Sequence, residues 1–571
     1  MNWIIKKPNL NVTKSIMDSY DVPKEVAIIM NIYELSDQLY LKRFMFPSIN
    51  NFHNPFLMKG MNKAIKRIFK TIESGQKVFI LGDSDADGIS AAALLYEGIN
   101  FFGGEVKAFI PNRQKEGRGL RKVHIDKAIS HRCDLLITCD CGMNSFESIE
   151  YANEKSIDVI VTDHHLLNDK ISNAYAILNP NQTGCEYPFK DLSGSGVALK
   201  LLQGMIKYKN LKMETSQFGI NLAVFGTLSD MVPLVDENRL IVKLGLKNLP
   251  NSNNKGIKKL LKKTKIKKPI STSDISHYVI PKLNSIARIG DSNIVLELLT
   301  TKNENKLNSI YFELNLNNEK RLNIQKQILR EADQFIKSKV DLNREKIIIC
   351  YSIDWEYGLL GIIASKLRNQ YRKPVILISF KDFDVGRGSF RSVTGFDSIE
   401  VLNKLNSYLI SYGGHKMASG LKIKKSNFNN FKDVLLKYAN LKLNNQKLEK
   451  SPSIDLKIKF SEINSTFIRF LKKLEPYGLK NKQPKFMTKR VRVIGNPILT
   501  TDGEHIKFIV RESNKSFNAI GFDLVHLYEI LIIGVPLDMV FFVESVRRNE
   551  KDIVQLNVKN IRLSSMNSII N

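Results

Sequence analysis

The chain is poor in cysteine and in acid, and it has no long uninterrupted apolar run. Its five cysteines, Cys133, Cys139, Cys141, Cys185 and Cys350, are odd in number and lack the paired spacing of a zinc site. Cys139 and Cys141 flank Asp140, but a CDC triplet is too tight for a zinc knuckle. The thiols therefore read as reduced cysteines of a cytoplasmic protein. The longest apolar stretch, Leu531 to Val543, is broken by Pro536 and Asp538, which excludes a membrane span there. No N-terminal stretch joins a basic start, an apolar core and a small-residue cleavage site, so no secretory leader is expected. Acids number 57 against 86 lysines and arginines, leaving a net charge of +29. That excess favours a polyanionic partner, because cationic side chains that neutralise phosphates release counterions. The charge alone proves little, since the chain is rich in Lys, Asn and Ile. A run such as Lys255 to Lys268 also reads as a solvated helix face.

At 571 residues the chain is too long for one core. The spacing of apolar residues divides it into five parts, with an α/β fold class. Residues 1–70 form a leading segment, with helical spacing from Phe56 to Ile72. Over 71–300 short apolar runs alternate with amphipathic stretches, the βαβ signature of a parallel sheet. Residues 301–340 read as one long linking helix: Asn303 to Lys337 holds neither glycine nor proline, and its apolar residues recur every three or four positions. A second α/β domain is expected over 341–450, beginning at Lys346-Ile347-Ile348-Ile349-Cys350. Over 451–571 five short apolar or alternating runs point to a small OB-like β-barrel, a common single-strand binder. An SH3-like barrel would give the same pattern.

The densest chemistry lies in LGDSDADGIS, where Asp83, Asp85 and Asp87 occupy alternate positions after the apolar run Lys77 to Leu81. Three carboxylates so close repel one another unless a cation sits between them. Gly82 and Gly88 bracket them, and a helix-like stretch follows from Ala91 to Ile99, which puts the acids at the carboxyl end of a buried strand. Asp163-His164-His165 follows Val159-Ile160-Val161, Asp140 follows Leu135-Leu136-Ile137, and Asp230 follows the apolar stretch Leu222 to Leu228. A lone aspartate after a strand is commonly a helix cap and a lone histidine a core residue. Four such clusters are harder to dismiss. Hard oxygen donors with imidazole suit Mn2+ or Mg2+ better than zinc. So many carboxylates point to two cations sharing a bridging acid, the arrangement that clamps a phosphoryl group during hydrolysis.

These motifs resemble those of the DHH phosphoesterases, and within them the RecJ family of bacterial single-strand-specific exonucleases. The resemblance rests on an ordered set: GDSDADG, IPNRQKEGRGL, CDCG, TDHH, DLSGSGVALK, GTLSDMVPL, NSIAR, WEYGLLGIIASKL, GSFRS, GGHKMASG and EPYGLKNKQPKF. It implies a DHH domain, a DHH-associated domain and the terminal barrel. It also implies that Asp83 and Asp85 hold one cation, that Asp87, His164 and Asp230 hold the other, and that Asp140 bridges them. His165 would lie behind these ligands or face the phosphate. Arg113, Arg288, Ser389, Arg391 and His415 would grip substrate phosphate, with Gly414 allowing close backbone approach. The reaction implied is 5′-to-3′ hydrolysis of single-stranded DNA to mononucleotides in recombination and repair. A helicase and a single-strand DNA-binding protein are the expected partners. The chain departs from the family pattern at Glu356, where a histidine is usual, and at Ala287, Arg118 and Lys482. Rival readings are another DHH phosphodiesterase acting on short oligonucleotides, a non-catalytic single-strand-binding replication factor, and a purely structural basic protein. The last explains none of the motifs.

Overall fold

A computed structural model describes residues 3–35, 37–113, 115–166, 172–264, 266, 268–443, 453–501, 503–548 and 551–564. Five parallel strands form the first sheet: β1 (Lys77–Gly82), β2 (Glu105–Phe109), β3 (Leu135–Cys139), β4 (Asp158–Thr162) and β5 (Ala176–Leu178), in the order β2-β1-β3-β4-β5. Successive side chains point to opposite faces, and both faces are covered. Val78, Ile80, Leu135, Ile137 and Ile160 join a core built with helices α1 (Ala86–Phe101), α2 (Gly194–Tyr208) and α3 (Gln217–Ser229). Phe79, Leu81, Leu136, Val159 and Val161 pack on the other side with Ile125, Ala128, Ile149 and Ala152. Strands buried on both faces read as unbroken apolar runs, which is why they stood out in the sequence.

Helix α4 (Glu304–Lys339) spans 36 residues, on the order of 54 Å at 1.5 Å per residue. Its first half gives Leu307, Ile310 and Leu314 to the first core, and its second half gives Ile328, Ala332 and Ile336 to the next. That next domain holds β6 (Ile348–Ser352), α5 (Tyr357–Tyr371), β7 (Val375–Asp382), β8 (Val385–Arg391), β9 (Leu409–His415) and β10 (Ala418–Lys424). Its strand order is β9-β10-β8-β7-β6, with only β6 and β7 parallel.

The terminal barrel comprises β11 (Phe486–Leu499), β12 (His505–Glu512), β13 (Lys515–Phe522), β14 (Pro536–Arg548) and β15 (Lys551–Leu563). The order β11-β12-β13-β15-β14 closes through a β14–β11 pairing, and the parallel β13–β15 pair gives it OB topology. The first 70 residues divide between two cores. Ile16, Val26, Ile29, Met30 and Phe44 share one buried cluster with the barrel's Phe486 and Phe541 and with Phe467 of the helix Ser465–Leu474 that precedes it, and Ile4–Ile5 pairs with Ser453–Ile454. The helix Met61–Glu73 packs instead on the first sheet's core. No helix among the described residues is long and apolar enough to cross a membrane.

A buried ion pair fastens the intervening segment to the first domain. Lys200 on α2 donates to Glu237 Oε1 at 2.9 Å and to the His53 carbonyl at 2.8 Å, while Tyr187 donates its hydroxyl to Glu237. Lys200 and Glu237 are both fully buried. Removing one partner strands the other charge in a dry interior. Lys200→Met should therefore destabilise the protein by about 3–5 kcal/mol in thermal or denaturant unfolding, and adding Glu237→Gln should restore part of that loss.

Candidate active site

Strands β1, β3 and β4 end level with one another, since Gly82, Cys139 and Thr162 are partners in register. The next residue on each strand is an aspartate. The ladder continues through them: Asp83 N donates to the Cys139 carbonyl (3.1 Å), Asp140 N to Thr162 (2.9 Å) and Asp163 N to Leu178 (3.0 Å). Three carboxylates thus leave adjacent strands side by side, at the interstrand spacing of roughly 4.8 Å.

Each is treated differently by its surroundings. Asp163 accepts from the backbone N–H groups of Met143 (3.1 Å), His164 (2.8 Å) and His165 (3.2 Å), and from His165 Nδ1 (2.7 Å). Burial alone would raise its pKa, but the bond and charge of His165 bring it below the usual carboxylate value. Reciprocally, the Asp163 bond pushes the His165 imidazole up to about 9. Asp140, in the middle, is 3 % exposed and in the left-handed region at φ 61°. Its Oδ1 has no hydrogen-bond partner among the described residues, although His164 Nε2 lies 3.1 Å away. The geometry of that approach makes it a proximity rather than a hydrogen bond. Burial, then the charges of Asp87 and Asp85, raise Asp140 well above the usual range.

Two helix starts hold the remaining acids of GDSDADG. Asp85 caps α1 by accepting from Asp87 N (3.1 Å) and Gly88 N (3.3 Å). Burial and the neighbouring Asp83 and Asp87 push its carboxyl up to about 6. Asp87, in the first turn of α1, accepts from Gly194 N (2.7 Å) and Ser195 N (2.8 Å), where the positive end of α2 favours an anion. Glycine is required here by space. A Cβ at Gly194 would meet Asp140 Cβ at 2.5 Å, and one at Gly226 would meet Asp87 Oδ1 at 2.1 Å.

Asp230 follows α3, so the apolar stretch Leu222 to Leu228 is a helix end rather than a strand end. Burial, then Asp87 and Asp85, raise Asp230 to about 7. Its Oδ2 lies 3.7 Å from His164 Nε2, and burial lowers the pKa of that imidazole.

The structure brings the seven residues expected from the sequence into one site. Donor atoms of Asp83, Asp85 and Asp140 fall within 4.8 Å of one another, as do those of Asp87, His164 and Asp230, and of Asp140, His164 and His165. Carboxylates and neutral imidazole fit hard divalent cations, and the unpartnered Oδ1 of Asp140 faces into the cluster's crowded charge. Arg113 presents an exposed side chain beside this site. Partial desolvation and Arg118 lower its pKa, while Asp83, Asp85 and Tyr357 pull the other way.

Of the residues expected to grip phosphate, Ser389, Arg391, Gly414 and His415 lie on the second sheet. Arg391 Nη1 donates to Ser389 Oγ (3.0 Å) and to the Phe390 carbonyl (2.9 Å). Arg391, Ala418 and His415 form one cross-strand row, and Ser389, Gly420 and Gly413 another on the same face. His415 is exposed, and Gly414 at φ 140° sits so near the Ala418 carbonyl that a Cβ would meet it at 2.5 Å. The Arg288 side chain lies outside the described residues.

Within the NSIAR and DLSGSG motifs, Asn284, Gly194 and Ser195 carry roles that their side-chain types do not announce. Asn284 accepts from Ala86 N (2.8 Å) and donates to Ser229 Oγ (3.1 Å), tying the start of α1 to the end of α3 beside Asp230. Ser195 and Gly194 supply the two amides on Asp87. Backbone donors carry no side-chain signature, so only the small residues that let α2 approach were readable.

The raised carboxyls make stability depend on pH in an unusual direction. A carboxyl whose folded pKa is raised stabilises the fold fully below its unfolded value, near 4, and loses that contribution as pH rises through the folded value. For Asp85 and Asp230 those folded values are about 6 and about 7. Metal-free protein should therefore lose melting temperature from about pH 4 to about pH 7, between the ordinary carboxyl value and the two raised ones. Asp140→Asn keeps a residue that tolerates φ 61° and removes one repelling charge. The metal-free variant should melt higher than wild type at pH 8, by on the order of 2 °C, and should gain less from added Mn2+. Scanning calorimetry with and without chelator measures both.

Comparison with known proteins places these domains in order. Residues 77–227 match the DHH family N-terminal domain, residues 344–441 the DHHA1 domain and residues 454–560 the RecJ OB domain. The single-stranded-DNA-specific exonuclease RecJ of Bacillus subtilis (strain 168) is 28 % identical over 573 residues, covering 99 % of this chain and 71 % of that protein. The RecJ of Escherichia coli (strain K12) is 28 % identical over 448 residues, covering 75 % of this chain and 78 % of its own. Among solved structures, RecJ from Thermus thermophilus in complex with Mn2+ shares the fold with a TM-score of 0.82 at 22 % identity, covering 99 % of this chain and 79 % of that one. An exonuclease RecJ bound to manganese gives a TM-score of 0.59 at 28 % identity, covering 68 % of this chain and 98 % of that one. With all three domains present in sequence and relatives aligned along nearly its whole length, the chain belongs to the RecJ family of the DHH phosphoesterases.

Proposed function

We propose that the protein is a metal-dependent exonuclease specific for single-stranded DNA, degrading it 5′ to 3′ to mononucleotides during recombination and repair. The observation that carries this reading is the level row of aspartates at the ends of β1, β3 and β4, flanked by two separate donor triads. The relatives named as single-stranded-DNA-specific exonucleases and the manganese-bound exonuclease RecJ support it. Asp83 and Asp85 would hold one Mn2+ or Mg2+, and Asp87, His164 and Asp230 the other, with Asp140 between them. Two such ions would supply acidity to a water and stabilise charge on the leaving 3′ oxygen.

The chain's own groups do the rest. Asp163 fixes the His165 ring and keeps it cationic at neutral pH, so that this exposed imidazolium can donate to a phosphate oxygen. Arg113 stands beside the acids to neutralise the scissile phosphate, and Arg391 with Ser389 offers donors from the second sheet. A cleft of about 1810 Å³ runs between the first domain and the barrel, reaching Met231 beside Asp230. Lys243, Lys247, Lys268, Lys482 and Lys485 line it, and lysines outnumber acids on its walls. Such a channel would track one phosphate backbone and guide the strand inward. A helicase and a single-strand DNA-binding protein would deliver that strand.

The test uses end-labelled single-stranded DNA, duplex DNA and short RNA with Mn2+ or Mg2+. Single strands should yield mononucleotides from the 5′ end, while duplex survives. Asp140→Ala should cost at least roughly a thousandfold in rate, as loss of a group essential to transition-state charge stabilisation does. Equal attack on duplex, preference for short RNA, or activity surviving Asp140→Ala would each refute the reading.

A further inference from the structure

Tyr357 has been given no role so far, yet it stands where the two α/β domains face each other. It is the first residue of α5, directly after Glu356, and 43 % of its surface is exposed. Among the described residues no other ring packs on it, no cation sits over its face and no hydrogen bond engages its hydroxyl. A lone exposed tyrosine is ordinary on a protein surface. The neighbours of this one are not.

Four observations fix its surroundings. The phenol oxygen lies over β10, 3.7 Å from where a Cβ on Gly420 would stand, and Gly420 pairs across the sheet with Ser389. One helical turn on, a Cβ at Gly361 would meet Arg391 Nη2 at 2.5 Å, so the Arg391 guanidinium rests on the face of α5 that Tyr357 begins. Tyr357 also registers on the charge of Arg113, which in turn feels Asp83 and Asp85. Finally, the adjacent Glu356 carboxylate is engaged by Lys381, so it presents no free negative charge beside the ring.

The ring therefore stands beside the Arg391 guanidinium, above a patch of sheet paved with Gly413, Gly420 and Ser389, with the Arg113 charge of the first domain within electrostatic range. Phosphates go to the arginines. What an unstacked aromatic beside them can take is the flat face of a base, an interaction that every base offers. We infer that Tyr357 is a stacking platform for a base of the bound single strand, next to the phosphate gripped by Arg391. The inference rests on the proposed function and adds to it a base contact from the second domain. Held at a helix start with only two side-chain torsions, the ring loses little freedom on binding.

The full-length protein in the Asp140→Asn background provides the binding assay, read as fluorescence anisotropy of a labelled oligodeoxythymidylate with Mn2+. Tyr357→Ala should weaken binding roughly 5- to 150-fold, the range seen when one stacking aromatic is removed. Tyr357→Phe, which keeps the ring, should stay within about twofold. An oligonucleotide whose 5′-terminal bases are replaced by abasic sites should bind the Asp140→Asn protein and its Tyr357→Ala derivative alike. The inference is overturned if Tyr357→Ala binds the intact oligonucleotide as tightly as its parent, or if its deficit persists on the abasic strand. In the Asp140-intact protein, absence of single-strand cleavage would refute the functional reading itself and this inference with it. Normal cleavage alongside unimpaired binding by Tyr357→Ala would refute the stacking role alone.

Discussion

The constraint on which the site depends is the register of three parallel strands. Gly82, Cys139 and Thr162 stand level, so whatever follows them stands level too, and each is followed by an aspartate. A slip of one residue in any strand would send its aspartate to a different height and side chains to the wrong face. Register is held because each strand is buried on both faces, with alternate residues committed to separate cores. The sheet's packing thus fixes the crowding of carboxylates, and the crowding creates the demand for cations. Asp163 escapes that demand through four donors; Asp140 does not.

Helix starts share in the same electrostatics. Asp85 caps one helix and Asp87 is held by the amides of another, so backbone dipoles offset part of the repulsion before any ion binds. This arrangement needs α2 to approach closely, and Gly194 and Gly226 remove the Cβ atoms that would prevent it. Small residues that look featureless in DLSGSG and GTLSD are what allow a buried acid to meet two amides at once.

Legibility followed physical cause. The first sheet was readable because strands buried on both faces leave continuous apolar runs, and α4 because a glycine- and proline-free stretch keeps helical period across both cores. The acids were readable because charge after an apolar run has few bland explanations. Two things were not. Asp230 follows a helix, and a short apolar stretch such as Leu222 to Leu228 has the same composition whether helical or extended. The leading residues pack on a barrel hundreds of positions away, a long-range pairing that no local pattern encodes.

The departures from the family pattern can be weighed by where their charge goes. Glu356 puts a carboxylate where the resemblance expects a histidine, in the wall proposed to receive phosphates, but Lys381 engages it. Arg118 adds a cation close enough to Arg113 to lower its pKa, and so strengthens the positive field beside Asp83 and Asp85. Lys482 adds another along the cleft that leads from the barrel. The Ala287 side chain lies outside the described residues. None of the other three touches the carboxylates or imidazoles. Their common effect is to preserve or increase positive charge along the proposed path of the strand. On the proposed function these departures would act on substrate grip rather than on the reacting centre, and the salt dependence of binding is where they would show.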